Sequence, residues 1–387
     1  MKSLGEVAEV ISGQSPKGAN YNTRGRGTPF YQGKKEFGDR FISEPTTWTT
    51  QVTRLAKAND ILMSVRAPVG PVNLATQDIC IGRGLAAIRP SAALDAAFLF
   101  HYLVSQRHQI EGNEGAVFAS INRTQIEAIS VPVPPLPEQR RIVAILDEAF
   151  EGIASAKANA ERNLRNTSGL FESYCEQSLR CEPEGWEEKP LRELCEIKHG
   201  FAFKSKYFVA DGECVCLTPG NFFESGGYRD RGEKTKYYAG PIPDGFVLSP
   251  GQMLLAMTEQ APGLLGSPMI LPDGQRFLHN QRLGLVCPKP GVPWKSDFFF
   301  HVFNRPRFRS AVHASATGVK VRHTSPAKLG DVPVVFPTSA KRQQQIADAL
   351  HAFKTEKQAV ADTCIRKANT LDELKASLLH QAFFGAL

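Results

Sequence analysis

The sequence predicts an α+β fold in which two globular domains of mixed α/β structure are separated by two long antiparallel helices that form a coiled coil. Three observations predict it. Four blocks of the first half recur in the same order in the second half, and each half holds a long segment without an internal proline. The remaining segments mix short apolar runs with glycine and proline turns. A pseudo-twofold internal repeat follows.

The repeat is read from the aligned blocks. Residues 3–13 (SLGEVAEVISG) align with 190–200 (PLRELCEIKHG), which places Leu4 on Leu191 and Gly13 on Gly200. AAFLFHYL aligns with SDFFFHVF, and EQRRIVAIL aligns with RQQQIADAL. The offset grows from 187 to 204 residues, so the second copy carries a net insertion of 17 residues. Four ordered matches exceed chance, and the chain is interpreted as a tandem duplication.

The globular segments are residues 1–137 and 182–340. Apolar runs bounded by turn residues predict strands in them at 60–65, 85–88, 213–217, 252–257 and 283–287. The alternation in 213–217 places Cys214 and Cys216 on one strand face. Residues 95–109 and 296–308 predict helices, and Pro306 should end the second one early. The strand order is not predicted.

The long segments, 138–181 and 341–387, predict the two spacer helices, and Pro137 is placed to open the first. Apolar residues from Ile346 to Leu378 recur at steps of three, four and seven, with interruptions at Lys357 and Lys367. A rod of roughly 60 Å follows from 1.5 Å per residue. Two solvated helices that do not pack on each other are the alternative. The candidate coiled-coil residues are Pro137, Gln139, Ile142, Leu146, Ile153, Gln343, Ile346, Leu350, Phe353, Leu371, Leu374 and Leu378.

Composition excludes several classes of protein. The net charge of +7 excludes a histone-like polycation, and no run approaches the roughly 18 apolar residues of a membrane span. The acidic start MKSLGEVAEV lacks a secretory core, so a cytoplasmic protein is expected. The eight cysteines form no Cys-x-x-Cys pair. Buried, reduced thiols are therefore the preferred interpretation, with a structural metal as the alternative.

Two related domains held apart by a stiff strut would match duplex DNA in two pieces, because DNA has local dyads. Each globular segment has a net charge of +3, and arginine and lysine on loops suit phosphate and base contacts. For each residue, an exposed solvating charge is the alternative. The candidate DNA-binding residues are Arg24, Arg26, Lys34, Lys35, Arg66, Arg83, Arg123, Lys204, Lys206, Arg229, Arg231, Arg282, Lys320 and Arg322.

These features resemble a known family. The tandem arrangement, the openings LGEVAEVISG and LRELCEIKHG, and the junction PVPPLPEQRRIVAIL resemble the specificity (S) subunits of type I restriction–modification enzymes. The second junction, FPTSAKRQQQI, departs from the pattern because it lacks the Leu-Pro pair. The first domain also has no counterpart of Trp186.

The resemblance implies that the globular parts are target recognition domains, each reading one half of a bipartite asymmetric DNA site. It implies that the coiled coil sets the spacer and docks two modification (methyltransferase) subunits, through which restriction subunits join. The coiled-coil candidates named above are then also the docking candidates. S-adenosylmethionine, ATP and magnesium would belong to those partners, and no cofactor or metal is expected in this chain.

The motifs of the chain agree with a non-catalytic subunit. No Asn-Pro-Pro-Tyr, Asp-Pro-Pro-Tyr or Gly-x-Ser-x-Gly motif occurs, and the glycine-lysine stretch at 27–35 departs from P-loop spacing. His101 and His301 recur at matching positions beside phenylalanines and are interpreted as histidines at the edge of the core. A methyltransferase with a built-in recognition domain, and a coiled-coil scaffold that binds only protein, are the rival hypotheses.

Overall fold

The computed structural model describes residues 1–110, 120–180, 184–260 and 262–385. The chain forms two compact units. The first comprises Met1–Asn163 with Thr363–Leu387, and the second comprises Leu164–Asp362. The units thus divide within the long helices. The domain boundary predicted between residues 181 and 182 lies outside the described residues.

The first unit alternates short strands and short helices before its long helix. In chain order the elements are β1 (Lys2–Ser3), α1 (Leu4–Val7), β2 (Ala8–Ser12), β3 (Tyr21–Asn22), β4 (Thr28–Tyr31), β5 (Trp48–Thr49), β6 (Leu55–Ala56), β7 (Ile61–Ser64), β8 (Val72–Leu74), β9 (Ile79–Ile81), β10 (Leu85–Pro90), α2 (Ala96–Ser105), α3 (Arg107–Ile110), α4 (Arg123–Glu127), β11 (Ser130–Val131) and α5 (Leu136–Ser178).

Two sheets organise the first unit. An antiparallel sheet has the order β2-β10-β7-β8, and a second sheet has the order β3-β5-β4-β9-β6 with β4 and β9 parallel. Strand β10 separates two hydrophobic clusters, because Ala86 and Ile88 join one cluster while Leu85 and Ala87 join the other. This two-residue alternation explains why the four residues 85–88 of the strand are all apolar.

The second unit has its own series of elements. They are β12 (Trp186–Pro190), α6 (Leu191–Leu194), β13 (Cys195–His199), β14 (Phe208–Val209), β15 (Cys214–Cys216), β16 (Tyr237–Tyr238), β17 (Val247–Leu248), β18 (Met253–Ala256), β19 (Thr258–Glu259), β20 (Pro268–Ile270), β21 (Arg276–Leu278), β22 (Leu283–Pro288), α7 (Ser296–Asn304), α8 (Pro306–Ser315), β23 (Arg322–His323), α9 (Pro326–Gly330), β24 (Pro333–Pro337) and α10 (Ala340–Phe384).

The sheets of the second unit repeat those of the first. The antiparallel sheet has the order β13-β22-β18-β20, and the mixed sheet has the order β14-β16-β15-β21-β17 with β15 and β21 parallel. Strand β12 pairs with β24 as β1 pairs with β11. Cys214 and Cys216 share one cluster while Val215 faces another, which confirms the predicted strand face. The two copies of the internal repeat therefore share one fold.

The predicted helices of the globular parts are confirmed, with a break at the expected proline. The Asp95 carboxylate caps α2 by accepting hydrogen bonds from the backbone N–H groups of Ala97 (2.9 Å) and Phe98 (3.1 Å). Helix α7 ends at Asn304, and Pro306 begins α8. Proline is favoured at a first helical position because no N–H is needed there.

One glutamine in each copy fixes the start of a long helix to its domain. The Gln139 amide accepts from the Asp95 N–H (2.7 Å) and donates to the carbonyls of Ala93 (2.9 Å) and Pro134 (2.8 Å). Gln343 accepts from the Lys295 N–H (2.9 Å) and donates to the carbonyls of Pro293 (3.0 Å) and Pro337 (2.9 Å).

Both glutamine side chains are fully buried. The hydrogen bonds of both amides are therefore made within the domain to which each helix is attached, and the contact of Gln139 and Gln343 with a docked partner stays a prediction.

The long helices pair in antiparallel fashion within each unit. In the first unit Lys375 lies over the Phe150 ring (5.0 Å), and Lys157 forms an ion pair with Asp372. Residues further along α5 therefore contact residues nearer the start of α10, as expected for antiparallel helices. In the second unit the rings of Phe353 and Tyr174 stack with their centroids 5.0 Å apart.

The same direction holds further along that pair, where Lys357 lies over the Phe171 ring (5.1 Å). Lys357 interrupts the apolar pattern in the sequence. Its ammonium group packs on the face of an aromatic ring, where the pattern would place an apolar side chain.

The predicted apolar seam needs correction at two places. Ile142 and Leu146 belong to the hydrophobic core of the first unit, and Ile346 and Leu350 belong to that of the second. They are thus enclosed in hydrophobic cores to which the globular domains contribute, and not in a seam made by the two long helices alone. Leu374 is 46% exposed, so it does not lie in a buried seam as the heptad spacing predicts. The spacing identifies an apolar stripe and does not identify what covers it.

Three further properties bear on the class of protein. None of the helices in the described parts of the chain is long and apolar enough to cross a membrane. The described cysteines are all free, and Cys80, Cys195, Cys214 and Cys216 are buried. Cys181 lies outside the described residues. Within residues 1–110, 120–180, 184–260 and 262–385, no group of three or more His, Cys, Asp or Glu residues could hold a metal ion.

Candidate nucleic-acid interface

A small groove in the first unit brings together three of the candidate cations. Arg66, Arg83 and Arg123 line a cavity of about 240 Å³ together with Ser120 and Asn122. Arg66 follows β7, Arg83 precedes β10, and Arg123 begins α4. The three arginine side chains are exposed. Arg123 also donates to the Glu127 carboxylate (2.6 Å), which holds its guanidinium along the helix.

The floor of this groove explains one repeated glycine. A side chain at Gly13 would place its Cβ 2.1 Å from the carbonyl oxygen of Gly82. The equivalent Gly200 would meet the carbonyl oxygen of Asn280 at 2.2 Å. In both units the end of the first long strand approaches the turn before β10 or β22 so closely that only glycine fits. The repeat of Gly13 at Gly200 is thus a structural requirement.

A larger groove in the second unit brings together Arg229, Arg231 and Arg282. Its volume is about 830 Å³, and Lys236 also lines it. Arg282 stands immediately before β22, as Arg83 stands shortly before β10. Each unit therefore has an arginine in its groove, just before the equivalent strand of its own antiparallel sheet.

Two cations of the larger groove have defined positions. The Arg229 guanidinium lies 5.9 Å from the centroid of the exposed Phe223 ring, within the range of a cation–π contact. Arg231 lies against Gly220, where an added Cβ would come within 2.0 Å of its guanidinium nitrogen. Gly220 thus leaves room for the Arg231 head group beside the backbone.

A short hairpin stands next to the larger groove. Thr317 and His323 exchange backbone hydrogen bonds (3.0 and 2.9 Å), and the left-handed Gly318 (φ +100°) turns the chain between them. Val321 lines the groove, and Lys320 beside it is exposed. Arg322 donates to the His313 carbonyl (2.6 Å). The hairpin therefore presents Lys320 near the groove and commits the Arg322 guanidinium to the backbone.

The other candidate cations do not line either groove. Arg24 and Arg26 lie in a turn whose backbone N–H groups donate to the Asn22 amide oxygen (3.1 and 3.0 Å). Lys34 and Lys35 begin a 3-10 turn (Lys34–Glu36). Lys204 precedes a second 3-10 turn, and Lys206 within that turn lies over the Tyr207 ring (4.9 Å). Their exposure fits the alternative of solvating charges as well as it fits DNA contact.

Sequence reasoning missed several residues of the larger groove, among them Phe223 and Glu259. Phe223 is exposed while its neighbour Phe222 is buried, and a Phe-Phe pair does not reveal which ring faces solvent. Glu259 lines the groove as well, although it is only 3% exposed. The candidate DNA-binding residues are all basic and so do not include Glu259. No feature of the local sequence predicts its burial.

The repeated histidines lie where the domains meet the long helices. The His101 ring nitrogen Nε2 lies 2.8 Å from the Asp147 carboxylate, which also accepts from Arg40 (2.7 Å). Burial lowers the pKa of His101, opposed by its hydrogen bond with Asp147. The two hydrogen bonds from Arg40 and His101 outweigh burial and lower the pKa of Asp147.

In the second unit, burial and, to a smaller extent, the nearby Lys354 and His351 together lower the pKa of His301 to about 4. His301 borders a cavity of about 530 Å³ shared with Asp297, Asp348 and His351. His301 therefore remains neutral at physiological pH, consistent with the interpretation of a histidine at the edge of the core.

Comparison with known families gives a match over most of the chain. The family model of the type I restriction modification DNA specificity domain matches residues 1–162 and again residues 183–361. The two matched segments correspond to the two copies of the internal repeat.

Individual relatives are type I restriction enzyme specificity subunits. The chain is 45% identical to the MjaX specificity subunit of Methanocaldococcus jannaschii over 168 residues, which is 42% of this chain and 39% of that protein. It is 25% identical to the MjaVIII subunit of the same organism, over 69% of this chain and 67% of that protein. It is 24% identical to the EcoBI subunit of Escherichia coli, over 53% of this chain and 40% of that protein. The matches thus span from about two fifths to two thirds of these relatives.

Solved structures share the fold. One, described as the structural basis underlying complex assembly and conformational transition of the type I R-M system, superposes with a TM-score of 0.79 and 18% identity. That superposition covers 100% of this chain and 97% of the other. The crystal structure of the HsdS subunit from Thermoanaerobacter tengcongensis gives a TM-score of 0.64 and 17% identity, over 100% of this chain and 96% of the other.

Proposed function

Because the chain belongs to the type I restriction–modification DNA specificity family, we propose that it is the sequence-reading subunit of such a complex and that each unit reads one half of a bipartite, asymmetric DNA site. The observation that carries the proposal is the presence of a cation-lined groove in each unit. Arg83 and Arg282 stand before the equivalent strands β10 and β22, each in a groove lined by further cations. Cations in a groove supply phosphate contacts, and loops around them supply base contacts.

The grooves differ in size and lining, which supports unlike half-sites. The first is lined by Arg66, Arg83 and Arg123 with short polar residues. The second is more than three times larger and includes the Phe223 ring. An asymmetric target requires two unlike readers on one framework, and two units of one fold with unlike grooves support that assignment. The cationic lining also favours DNA over the rival hypothesis of a scaffold that binds only protein.

The long helices are assigned a separate role in the proposal. They set the unread spacer between the half-sites and dock two modification subunits, through which restriction subunits join. The exposed apolar residues Leu374, Val360 and Ile365 of α10 are available for that docking. Methyl transfer and DNA cleavage, with S-adenosylmethionine, ATP and magnesium, are assigned to the partner subunits, and no catalytic step is assigned to this chain.

Methylome sequencing tests the proposal. The gene is expressed together with the modification subunit that accompanies it, in a host without other adenine or cytosine methylation. We expect one methylated motif made of two short, unlike half-sites separated by a fixed spacer. A chimaera in which a relative's sequence replaces residues 1–137 should change one half-site only. A motif without two halves, or a change in both halves, would contradict the proposal.

Lengthening the helices tests the spacer role. Insertion of one heptad into α5 and one into α10 should preserve both half-sites and lengthen the spacer, because each heptad adds about 10 Å of helix. Insertion into α5 alone is the control, since it breaks the antiparallel register and should abolish methylation. An unchanged spacer after the paired insertion would refute the strut role.

A further inference from the structure

The connection that follows β18 is longer than its counterpart after β7. In the first unit residues 65–71 join β7 to β8, and in the second unit residues 257–267 join β18 to β20, which is four residues more. The ends of the two connections are equivalent. Gly70 donates to the Ser64 carbonyl (3.0 Å), and Gly266 donates to the Ala256 carbonyl (2.8 Å). The additional residues therefore form a loop on an unchanged base, named here the 257–267 loop.

A buried carboxylate holds the loop from inside. Glu259 Oε2 accepts hydrogen bonds from the backbone N–H groups of Gly263 (3.1 Å), Leu264 (3.0 Å) and Leu265 (2.9 Å). The other oxygen, Oε1, lies 3.4 Å from His313 Nδ1. Hydrogen bonds from three N–H groups to one ionised oxygen are stronger than neutral ones. They fix the backbone of Gly263–Leu265 against Glu259.

An arginine holds the same loop through its carbonyl groups. Arg309 of α8 donates to the carbonyl oxygens of Leu265 (2.9 Å), Glu224 (3.1 Å) and Gly263. Gly263 and Leu265 are thus bound twice, through their N–H groups by Glu259 and through their carbonyl groups by Arg309. Backbone that is bound through both its N–H and its carbonyl groups is preorganised before any ligand binds.

The exposed residue beside this brace is Gln260. It follows Glu259 directly, is exposed, and lines the larger groove together with Arg229, Arg231 and Arg282. The cations supply the charge that phosphates need, whereas the uncharged amide of Gln260 has one acceptor and two donor hydrogens. That pair of groups matches the N6 and N7 edge of adenine in the major groove.

We propose that Gln260 is a specificity-determining residue that contacts a base edge, adenine by its chemistry, in the half-site read by the second unit. Glu259 and Arg309 are positioning residues that hold the 257–267 loop for it. The inference rests on the proposed function and adds to it the residue and the class of base. The first unit lacks the additional four residues, so this means of reading belongs to the second half-site alone.

The test compares variants of the full chain in complex with its modification subunits. Gln260→Ala should relax the methylated motif at one position of one half-site. With duplexes substituted at each position, it should reduce discrimination at that position by about 10- to 100-fold. The other half-site and the spacer should not change. Gln275→Ala is the matched control, because Gln275 is exposed in the same unit and does not line the groove.

The positioning role has a separate readout. Arg309→Lys keeps the positive charge and loses the forked donor, so we expect relaxed discrimination at the same base position as in Gln260→Ala. A purely structural residue would instead lower affinity for all duplexes equally, and that result would overturn the positioning role. Glu259→Gln, which keeps the size of the side chain, should match Arg309→Lys.

The outcomes separate the inference from the function on which it rests. A wild-type bipartite motif together with an unchanged motif in Gln260→Ala would overturn the inference and leave the proposed function standing. The absence of a bipartite motif in the wild type would overturn both. Circular dichroism and thermal unfolding of each variant identify a loss of fold, and the conservative Gln260→Glu then provides the second measurement, with the same position expected to change.

Discussion

The two units attach their long helices in the same way and build their grooves differently. Gln139 and Gln343 make the same three hydrogen bonds at the start of α5 and α10. In contrast, the loop after β18 is longer than the loop after β7, and the grooves measure about 830 and 240 Å³. The parts that hold the architecture together have kept their interactions, whereas the parts that face solvent have diverged.

This contrast follows from the physics of each location. A fully buried amide that loses its partners leaves several polar groups without hydrogen bonds, so substitution there is costly. A surface loop tolerates insertions because longer loops cost little additional entropy. A duplicated protein can therefore change the groove of one unit without altering how its helices are attached.

The largest effects on the free energy of unfolding are expected for the leucine that each unit buries at the equivalent position of its long helix. Leu146 and Leu350 are 0% exposed and belong to the two main cores. Leu146→Ala and Leu350→Ala should each lower the free energy of unfolding by about 2 to 5 kcal/mol, measured by urea denaturation with circular dichroism. Leu374→Ala is the control and should change it by less than about 0.5 kcal/mol. If only one of the two variants loses stability, the two leucine positions are not equivalent.

The glutamine pair tests the equivalence through polar groups. Gln139→Leu and Gln343→Leu keep the approximate volume and leave one N–H and two carbonyl groups without partners. Each variant should lower the free energy of unfolding by about 2 to 4 kcal/mol. Gln177→Leu and Gln345→Leu, at exposed positions of the same helices, are the controls and should be nearly neutral. Similar stability in all four variants would contradict a role in anchoring the helices.

The sequence predicted the repeat, the strands and the helix breaks because each of these has a local signature. Pro306 begins α8 where proline must end α7. The alternation of Cys214 and Cys216 places them on one face. Strand order and groove shape depend on contacts between distant residues, and local periodicity does not encode those.

The site was predicted less completely for three physical reasons. An apolar stripe has the same spacing whether it faces a second helix or a globular core, so Ile142 and Ile346 were assigned to the coiled coil and to partner docking, whereas both lie in hydrophobic cores to which the globular domains contribute. Basic residues are exposed nearly everywhere, so only some of the candidates, such as Arg83 and Arg282, lie in grooves. Glu259 was missed because its burial results from the fold of its loop.

A third prediction separates the two histidines by pH. The unfolded pKa of histidine is about 6.5, and burial lowers that of His301 to about 4. The unfolded state therefore binds the proton first, and wild-type stability should fall as the pH drops below about 6.5. His351, Lys354 and Asp348 on α10 and Asp297 on α7 border the same cavity.

From pH 7.5 to pH 5, the His301 contribution to this fall should be about 2 kcal/mol in urea denaturation. His301→Gln should remove most of it. His101→Gln should remove less, because the Asp147 carboxylate opposes the lowering of the His101 pKa. Equal pH dependence of the two variants would contradict the difference between the units.

The smallest effect concerns single cations in the two grooves. Arg83 and Arg282 stand before equivalent strands, so Arg83→Gln and Arg282→Gln should each weaken DNA binding by the complex about five- to tenfold near 0.1 M salt. Each should also reduce the slope of log affinity against log salt by about 1, since one phosphate contact is lost. Lys34→Gln and Lys204→Gln, which lie outside the grooves, are the controls, and fluorescence anisotropy at several salt concentrations is the measurement. If the lysine variants change the slope as much as the arginine variants do, DNA runs over the outer turns of each unit and the grooves are not its path.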